Sequence, residues 1–442
     1  MTAPVSVPGS PEKMKSGGEM GSTLRSASAE ELRIRRRRKR ILFCAIVISF
    51  FTGMSKVLIP GAVFSELQED LHFSAAILGT MTAAYMYCIA GGQMMLGIFA
   101  NRYGGVRIIL FGCGCFVIGF FFFPLLSSPV WMVVLRGICG IGAGITFLGI
   151  TKLIIELYPA RFPFFFSTAL FISYVGPITA GIPAAMLVRA TSWRCALLLI
   201  AAVPTLCFLL MLLSLKKSFR KVKTGHAIRE FLVLCRHGAL WRLLLATSLL
   251  FGIHYAVLTT LGRKALEDQC GFSPRSSSLW ISVLATVVAV TTLFSNTTLR
   301  IFGGRRRAVV IFCAFSSLVG TLLAAASFQY GWGGVPVTAA FLLLANGAGY
   351  FSIFGTIAKE LNPTRLGSLA IAMLNFAAFV MIAAIGNAAG WLLASYEPSE
   401  TTGAILYPAA AYRNFFLGAA PLALLSLALA FTLPETRRAG RR

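Results

Sequence analysis

The chain has 442 residues, 57% of them hydrophobic and 12% charged, with 40 Lys and Arg against 15 Asp and Glu for a net charge of +25. Soluble domains carry about a quarter of their residues charged, so an ordinary water-soluble fold is excluded. The apolar residues run in blocks of roughly 20, enough to carry a helix across about 30 Å of hydrocarbon, where the backbone must satisfy its own hydrogen bonds.

Residues 1–32 are rich in Ser, Gly and Pro, lack an apolar core of the signal-peptide kind, and read as a tail. With the basic run Arg33–Arg40 they predict a disordered basic cytoplasmic tail over 1–40. Six apolar segments follow: Ile41–Val63, Ala75–Phe99, Val106–Leu126, Val130–Ile155, Phe164–Val188 and Cys195–Leu215. In the first, Ser49, Thr52, Gly53, Lys56 and Pro60 share one helical face, which is expected to look inward. Gly137, Gly140, Gly142 and Gly144 allow close helix contact in the fourth. Gly176-Pro177 and Gly181-Ile182-Pro183 predict a bend in the fifth. The Phe120–Phe123 and Phe164–Phe166 runs read as lipid-facing or interfacial bulk.

A basic, poorly periodic linker occupies 216–239. Six more segments then run Leu240–Leu261, Leu279–Leu299, Ala308–Phe328, Pro336–Ile357, Leu369–Leu393 and Phe415–Leu433, before a basic tail over 435–442. The stretch Ser395–Tyr412 reads as plain loop. The fold expected is an all-α membrane protein of twelve transmembrane helices in two six-helix bundles, 41–215 and 240–434.

The second bundle echoes the first. Gly104-Gly105 returns as Gly303-Gly304, and Glu156-Leu157-Tyr158-Pro159-Ala160-Arg161 returns as Glu360-Leu361-Asn362-Pro363-Thr364-Arg365, at offsets of 199 and 204 positions. Two matches at nearly one offset mark an internal duplication, as in pseudo-symmetric carriers. With the N-terminus placed in the cytoplasm, 32 of the 40 Lys and Arg fall on the cytoplasmic side. That asymmetry predicts a multi-pass cell-membrane protein with both termini cytoplasmic, the inner membrane in a bacterium. It accounts for the positive charge without nucleic acid.

The turn Gly97-Ile98-Phe99-Ala100-Asn101-Arg102-Tyr103-Gly104-Gly105-Val106-Arg107 resembles the loop between helices 2 and 3 of the major facilitator superfamily. Arg136-Gly137 with the following glycines resembles that family's helix 4 motif, and Ser192-Trp193-Arg194 its helix 5–6 turn. The resemblance implies alternating access around a central site, with Gly97, Asn101, Arg102, Gly104, Arg107 and Arg136 in gating or conformational roles. Gly303, Gly304 and Arg306 echo that turn in the second half. Glu156 and Glu360, at helix ends and paired in sequence with Arg161 and Arg365, are expected to staple or gate the cytoplasmic side. Asn101 replaces the family's usual acidic residue, which removes one charge link at the turn.

None of the 15 carboxylates is expected inside a helix core, so the buried acid that couples many carriers is missing. Two intramembrane basic residues stand out, Lys56 and His254, at nearly the repeat offset. Snorkelling to the outer interface is the alternative for Lys56, and a hydrogen-bonded packing role is the alternative for His254. His254-Tyr255-Ala256-Val257-Leu258 resembles helix 7 of the organophosphate:phosphate antiporters, whose substrate-binding arginine falls at His254. Replacing arginine removes the bidentate fork for phosphate, so a carboxylate stands beside a phosphate ester as candidate.

Tyr85, Tyr174, Asn346, Tyr350 and Asn375 complete the candidate substrate site. No metal-ligand spacing, P-loop or triad appears, so no enzyme, cofactor or metal is expected. The expected function is secondary transport of a small organic anion across the bilayer, with H+ or a counter-anion as the open choice of coupling partner. An efflux carrier for apolar compounds and a non-transporting sensor on the same fold are the rivals.

Overall fold

The computed structural model describes residues 16–99, 105–158, 161–214, 233–363, 366–401 and 404–436. Among them, eleven helices are long and apolar enough to cross a membrane, and a twelfth span is a bent pair. The first half is built from α1 (Ser16–Leu58), the short α2 (Phe64–Leu71), α3 (Ala75–Phe99), α4 (Gly105–Phe122), α5 (Pro129–Leu157), α6 (Phe162–Thr179), α7 (Ile182–Ala190) and α8 (Trp193–Leu213). In the second half α9 (Gly238–Ala256) continues through a π-helical turn, Val257–Leu261, into α10 (Gly262–Cys270). There follow α11 (Pro274–Leu293), α12 (Ser295–Ile301), α13 (Arg306–Tyr330), α14 (Gly334–Ala348), α15 (Phe351–Glu360), α16 (Gly367–Ala394) and α17 (Ala409–Phe431).

Three expectations change. The tail was expected to be disordered as far as Arg40, but α1 is helical from Ser16. Its Ala, Glu, Leu and Arg content favours helix, and the membrane helix supplies the costly nucleus that an isolated segment lacks. Secondly, Ser395–Tyr412 is more than plain loop: Ser399–Thr401 and Ala404–Leu406 pair antiparallel, as β1 and β2. Thirdly, Phe120 and Phe123 are 1% exposed and belong to the core, although Phe122 faces outward. A run of phenylalanines on a helix points around the whole circumference, so only part of it can meet lipid.

The bend predicted in the fifth span is present, 46° between the pieces Thr168–Thr179 and Pro183–Ala190. The break leaves the Ile178 carbonyl without a full helical partner, and Ser282 of α11 donates to it at 2.9 Å. A helix defect in one half is thus satisfied by the other half, as buried backbone requires.

The halves also pack along α3 and α16. Gly79 and Gly390 meet there, and a Cβ built on Gly79 would lie 2.9 Å from the Gly390 Cα. Nothing larger than glycine fits without moving a helix. The next residue, Thr80, donates to Asn387, about one turn before Gly390 on α16, at 3.2 Å. Both contacts lie at the end of the bundle that holds α2, termed here the far end; the near end holds the start of α1 and the finish of α17.

Candidate functional site

Lys56 lies in the last turn of α1, close to where Pro60 stops the helix. Helical side chains lean toward the N-terminus of their own helix, so this lysine reaches back toward the middle of the bundle. Its ammonium lies 5.1 Å from the ring centroid of Phe379, on α16 of the opposite half. Snorkelling to the far-end interface is therefore not its geometry. Lys56 is half-buried, and the described ion pairs give it no acidic partner.

The turn that carries Lys56 is clamped by Arg136 of α5. The Arg136 guanidinium donates to Ser55 Oγ at 2.9 Å, to the Ser55 carbonyl at 3.4 Å and to the Ile59 carbonyl at 2.8 Å. Its other face lies 4.1 Å from the ring of Tyr85. A guanidinium at a helix C-terminus meets both the free carbonyls and the negative end of the dipole. Tyr85 is fully buried and its hydroxyl donates to the Thr52 carbonyl at 2.8 Å. Tyr85 and Arg136 hold the helix end that presents Lys56; Tyr85 itself has no open face for a substrate.

His254 is 0% exposed, and neither ring nitrogen has a hydrogen-bond partner among the described residues. The hydrogen-bonded packing role is therefore not observed. Buried polar atoms are almost always satisfied, and an unsatisfied one costs about 1–3 kcal/mol. Beside it on the chain, the half-buried Tyr255 is within electrostatic range of Tyr174 on α6 in the other half.

Two more candidates act within one half. Asn346 donates to Ser316 Oγ at 3.4 Å, and the Tyr350 hydroxyl lies 3.4 Å from Thr298 Oγ1. Asn375 is half-buried without a described hydrogen bond. It precedes Phe379 by one helical turn on α16, so the two share a face with Asn387 and Gly390. That face looks at the first half, as the contacts of Phe379, Asn387 and Gly390 establish. Phe379 was missed in the sequence because only its i+4 spacing from Asn375 marks it.

The far end carries a charged cluster that sequence reading placed in a loop. Arg263 donates to both oxygens of Glu66 at 3.0 Å and to Glu267 at 2.8 Å, and also reaches the Ala62 carbonyl. Lys264 pairs with Asp268 at 2.9 Å, with side chains 5% and 0% exposed. This corrects two expectations: the seventh span runs on to Cys270, and Asp268 is a fully enclosed carboxylate within it. The charges pair at i,i+4 along α10 and across to α2, which lets the helix continue where hydropathy falls.

The β hairpin leads into the same cluster. The Tyr407 N–H and the Tyr412 hydroxyl donate to Asp268 at 2.9 and 2.7 Å, and Gln68 donates to the Tyr407 hydroxyl at 2.9 Å. Burial pushes the Tyr407 pKa up, keeping the phenol protonated. Ser65 of α2 donates to Glu267 at 3.1 Å.

At the near end, Glu156 pairs with Arg38 at 3.6 Å and Glu360 pairs with Arg306. The Arg306 N–H also donates to Glu435 at 3.0 Å. Gly303 and Gly304 turn with φ of 62° and 75°, the left-handed region that suits glycine. Arg107 and Arg161 are exposed, and Gly97 lies in the last turn of α3. Asn101, Arg102, Gly104 and Arg365 lie outside the described residues, as does most of the linker expected over 216–239, whose described part begins at 233.

Known proteins resemble this chain in fold, in sequence and in family profile. Over 90% of the chain the fold matches a D-xylose-proton symporter with a TM-score of 0.69, at 16% identity and over 98% of that structure. A peptide transporter of the POT family matches with a TM-score of 0.70 at 12% identity, covering 90% of this chain and 94% of that one. In sequence, 176 residues are 27% identical to a gallate transporter of Pseudomonas putida, covering 38% of this chain and 39% of the relative. Another 27% match extends over 199 residues of the 4-hydroxybenzoate transporter PcaK of Acinetobacter baylyi, 43% of each chain. The chain thus spans less than half the length of these relatives. A family profile described as Major Facilitator Superfamily matches residues 41–387, and the chain belongs to that superfamily of transporters.

Proposed function

We propose that this transporter carries a small organic anion, an aromatic carboxylate, by alternating access at a site centred on Lys56. The observation that carries the reading is the Lys56 ammonium, half-buried at the seam between the halves with no acidic partner among the described residues. A lysine at a helix centre costs about 2.5–3.5 kcal/mol on insertion scales; Lys56 lies nearer a helix end, and its cost is correspondingly smaller but of the same sign. A bound carboxylate offsets that cost. A single ammonium suits a monoanion better than a phosphate ester, which draws on several convergent donors.

The gallate and 4-hydroxybenzoate relatives are named for aromatic acids, in keeping with this reading. Far-end contacts between the halves fit a carrier closed on that side, with the basic near end in the cytoplasm by the positive-inside rule. His254, Tyr174 and Asn375 complete the site, and the coupling species is H+ or a counter-anion.

Uptake into proteoliposomes tests the reading with labelled 4-hydroxybenzoate, glycerol 3-phosphate and the neutral 4-hydroxybenzyl alcohol. Saturable flux of the first alone is expected. Flux of the neutral alcohol alone supports the apolar efflux rival, and binding of 4-hydroxybenzoate without flux supports a sensor.

A further inference from the structure

Phe379 has no place in the motifs that mark the family, yet it supplies the one described contact of the Lys56 ammonium across the seam. A cation over a ring is attracted by the ring quadrupole, and the attraction grows when both are desolvated. Here Lys56 and Phe379 are each half-buried. They come from opposite halves, so the contact also bridges the two bodies that must move.

A carboxylate arriving at Lys56 competes with this ring. Charge-assisted hydrogen bonding to an ammonium is stronger than a cation–π contact, so the anion draws the ammonium off Phe379. That leaves an aromatic face uncovered. A ligand with an aromatic ring can stack on it and recover contact energy beyond simple burial. An aliphatic ring of the same size recovers area but not the ring–ring term.

The surroundings fit a flat, partly polar ligand. Asn375 lies one turn from Phe379 on the same face and offers an amide, donor and acceptor together, with no hydrogen bond among the described residues. Tyr174 and Tyr255 place two phenols near the seam from opposite halves.

We infer that Phe379 is the residue that selects aromatic over aliphatic carboxylates, by exchanging its contact with the Lys56 ammonium for a stack with the ligand ring. This rests on the anion reading above and names the feature of the ligand that the site recognises besides its charge.

The test compares benzoate with cyclohexanecarboxylate, which share charge and ring size but differ in aromaticity. Dissociation constants are measured on purified full-length protein for wild type, Phe379→Leu and Phe379→Tyr. Wild type is expected to favour benzoate by about five- to tenfold, corresponding to the ring–ring term. Phe379→Leu should bring the two ligands within about twofold, chiefly through weaker benzoate binding. Phe379→Tyr should keep the preference, showing that the ring and not the fold was lost. A benzoate preference that survives Phe379→Leu overturns the inference while leaving the anion reading standing. Failure of wild type to bind either acid overturns the anion reading, and the inference with it.

Discussion

Arg263 and Glu66, one from each half of the transporter, form a two-pronged ion pair at 3.0 Å on both prongs. The arginine is 4% exposed and the glutamate 27% exposed. A fork that also serves Glu267 and the Ala62 carbonyl ties α10 to the short helix α2. Removing Glu66 leaves the buried Arg263 with Glu267 as its one described carboxylate partner, at a cost of about 1–3 kcal/mol. Glu66→Gln should therefore loosen the far end. With Ser282→Cys as reporter at the seam, an impermeant maleimide should react several-fold faster in the Glu66→Gln background. An unchanged rate would mean that the pair does not hold the halves together.

The His254 imidazole, without a hydrogen-bond partner among the described residues, should affect stability and function in opposite directions. A leucine of similar bulk removes two unpartnered polar atoms, each costing about 1–3 kcal/mol when buried. His254→Leu should leave the melting temperature unchanged or raise it, while weakening 4-hydroxybenzoate binding by about tenfold. A lower melting temperature with normal binding would assign His254 to packing.

Arg136 is expected to behave in the opposite way. Lysine cannot span Ser55 Oγ and the Ile59 carbonyl while covering the Tyr85 ring. Arg136→Lys should lower stability by about 2–4 kcal/mol, as expected for breaking a buried charged network. Binding should weaken too, because the helix end presenting Lys56 loses its clamp. Thermal unfolding of the detergent-purified protein, read beside ligand titration, checks both. Wild-type values for both would show the clamp to be dispensable.

Orientation can be read from two cysteines. Cys195 is exposed at the start of α8 at the far end, and Cys235 lies near the start of α9 at the near end. In intact cells, with the other cysteines replaced, a membrane-impermeant thiol reagent should label Cys195 and spare Cys235. The reverse pattern would place the basic end outside.

Much of the fold was legible because hydrocarbon leaves so little choice: apolar blocks of membrane length, a repeat near 200 positions and a bend at Gly181-Ile182-Pro183 each have one physical reading. The seventh span was cut short because Arg263, Lys264, Glu267 and Asp268 look like loop until their partners are known. Hydropathy counts each charge separately, whereas the i,i+4 spacing of two opposite pairs already hinted that they cancel. Lys56 was legible as a lone cation, and its helix face was legible from Ser49 and Thr52. Phe379 was not, since one phenylalanine among 36 carries no mark of the helix it faces. Tyr85 illustrates the converse, a polar residue in the right place whose hydroxyl and ring were already engaged.

The continuity of α1 has a mechanical consequence. The helix is held at the near end by the Arg38–Glu156 pair and by Lys39 over the Tyr158 ring, and it runs unbroken from there to the turn that carries Lys56. Eighteen residues of α-helix make a rigid arm of about 27 Å. A tilt of about 10° around that near-end pivot swings the Lys56 end by about 5 Å, as far as the whole separation of its ammonium from Phe379. Such an arm would act as a lever, turning a small rotation at the basic end into the making or breaking of the Lys56–Phe379 contact.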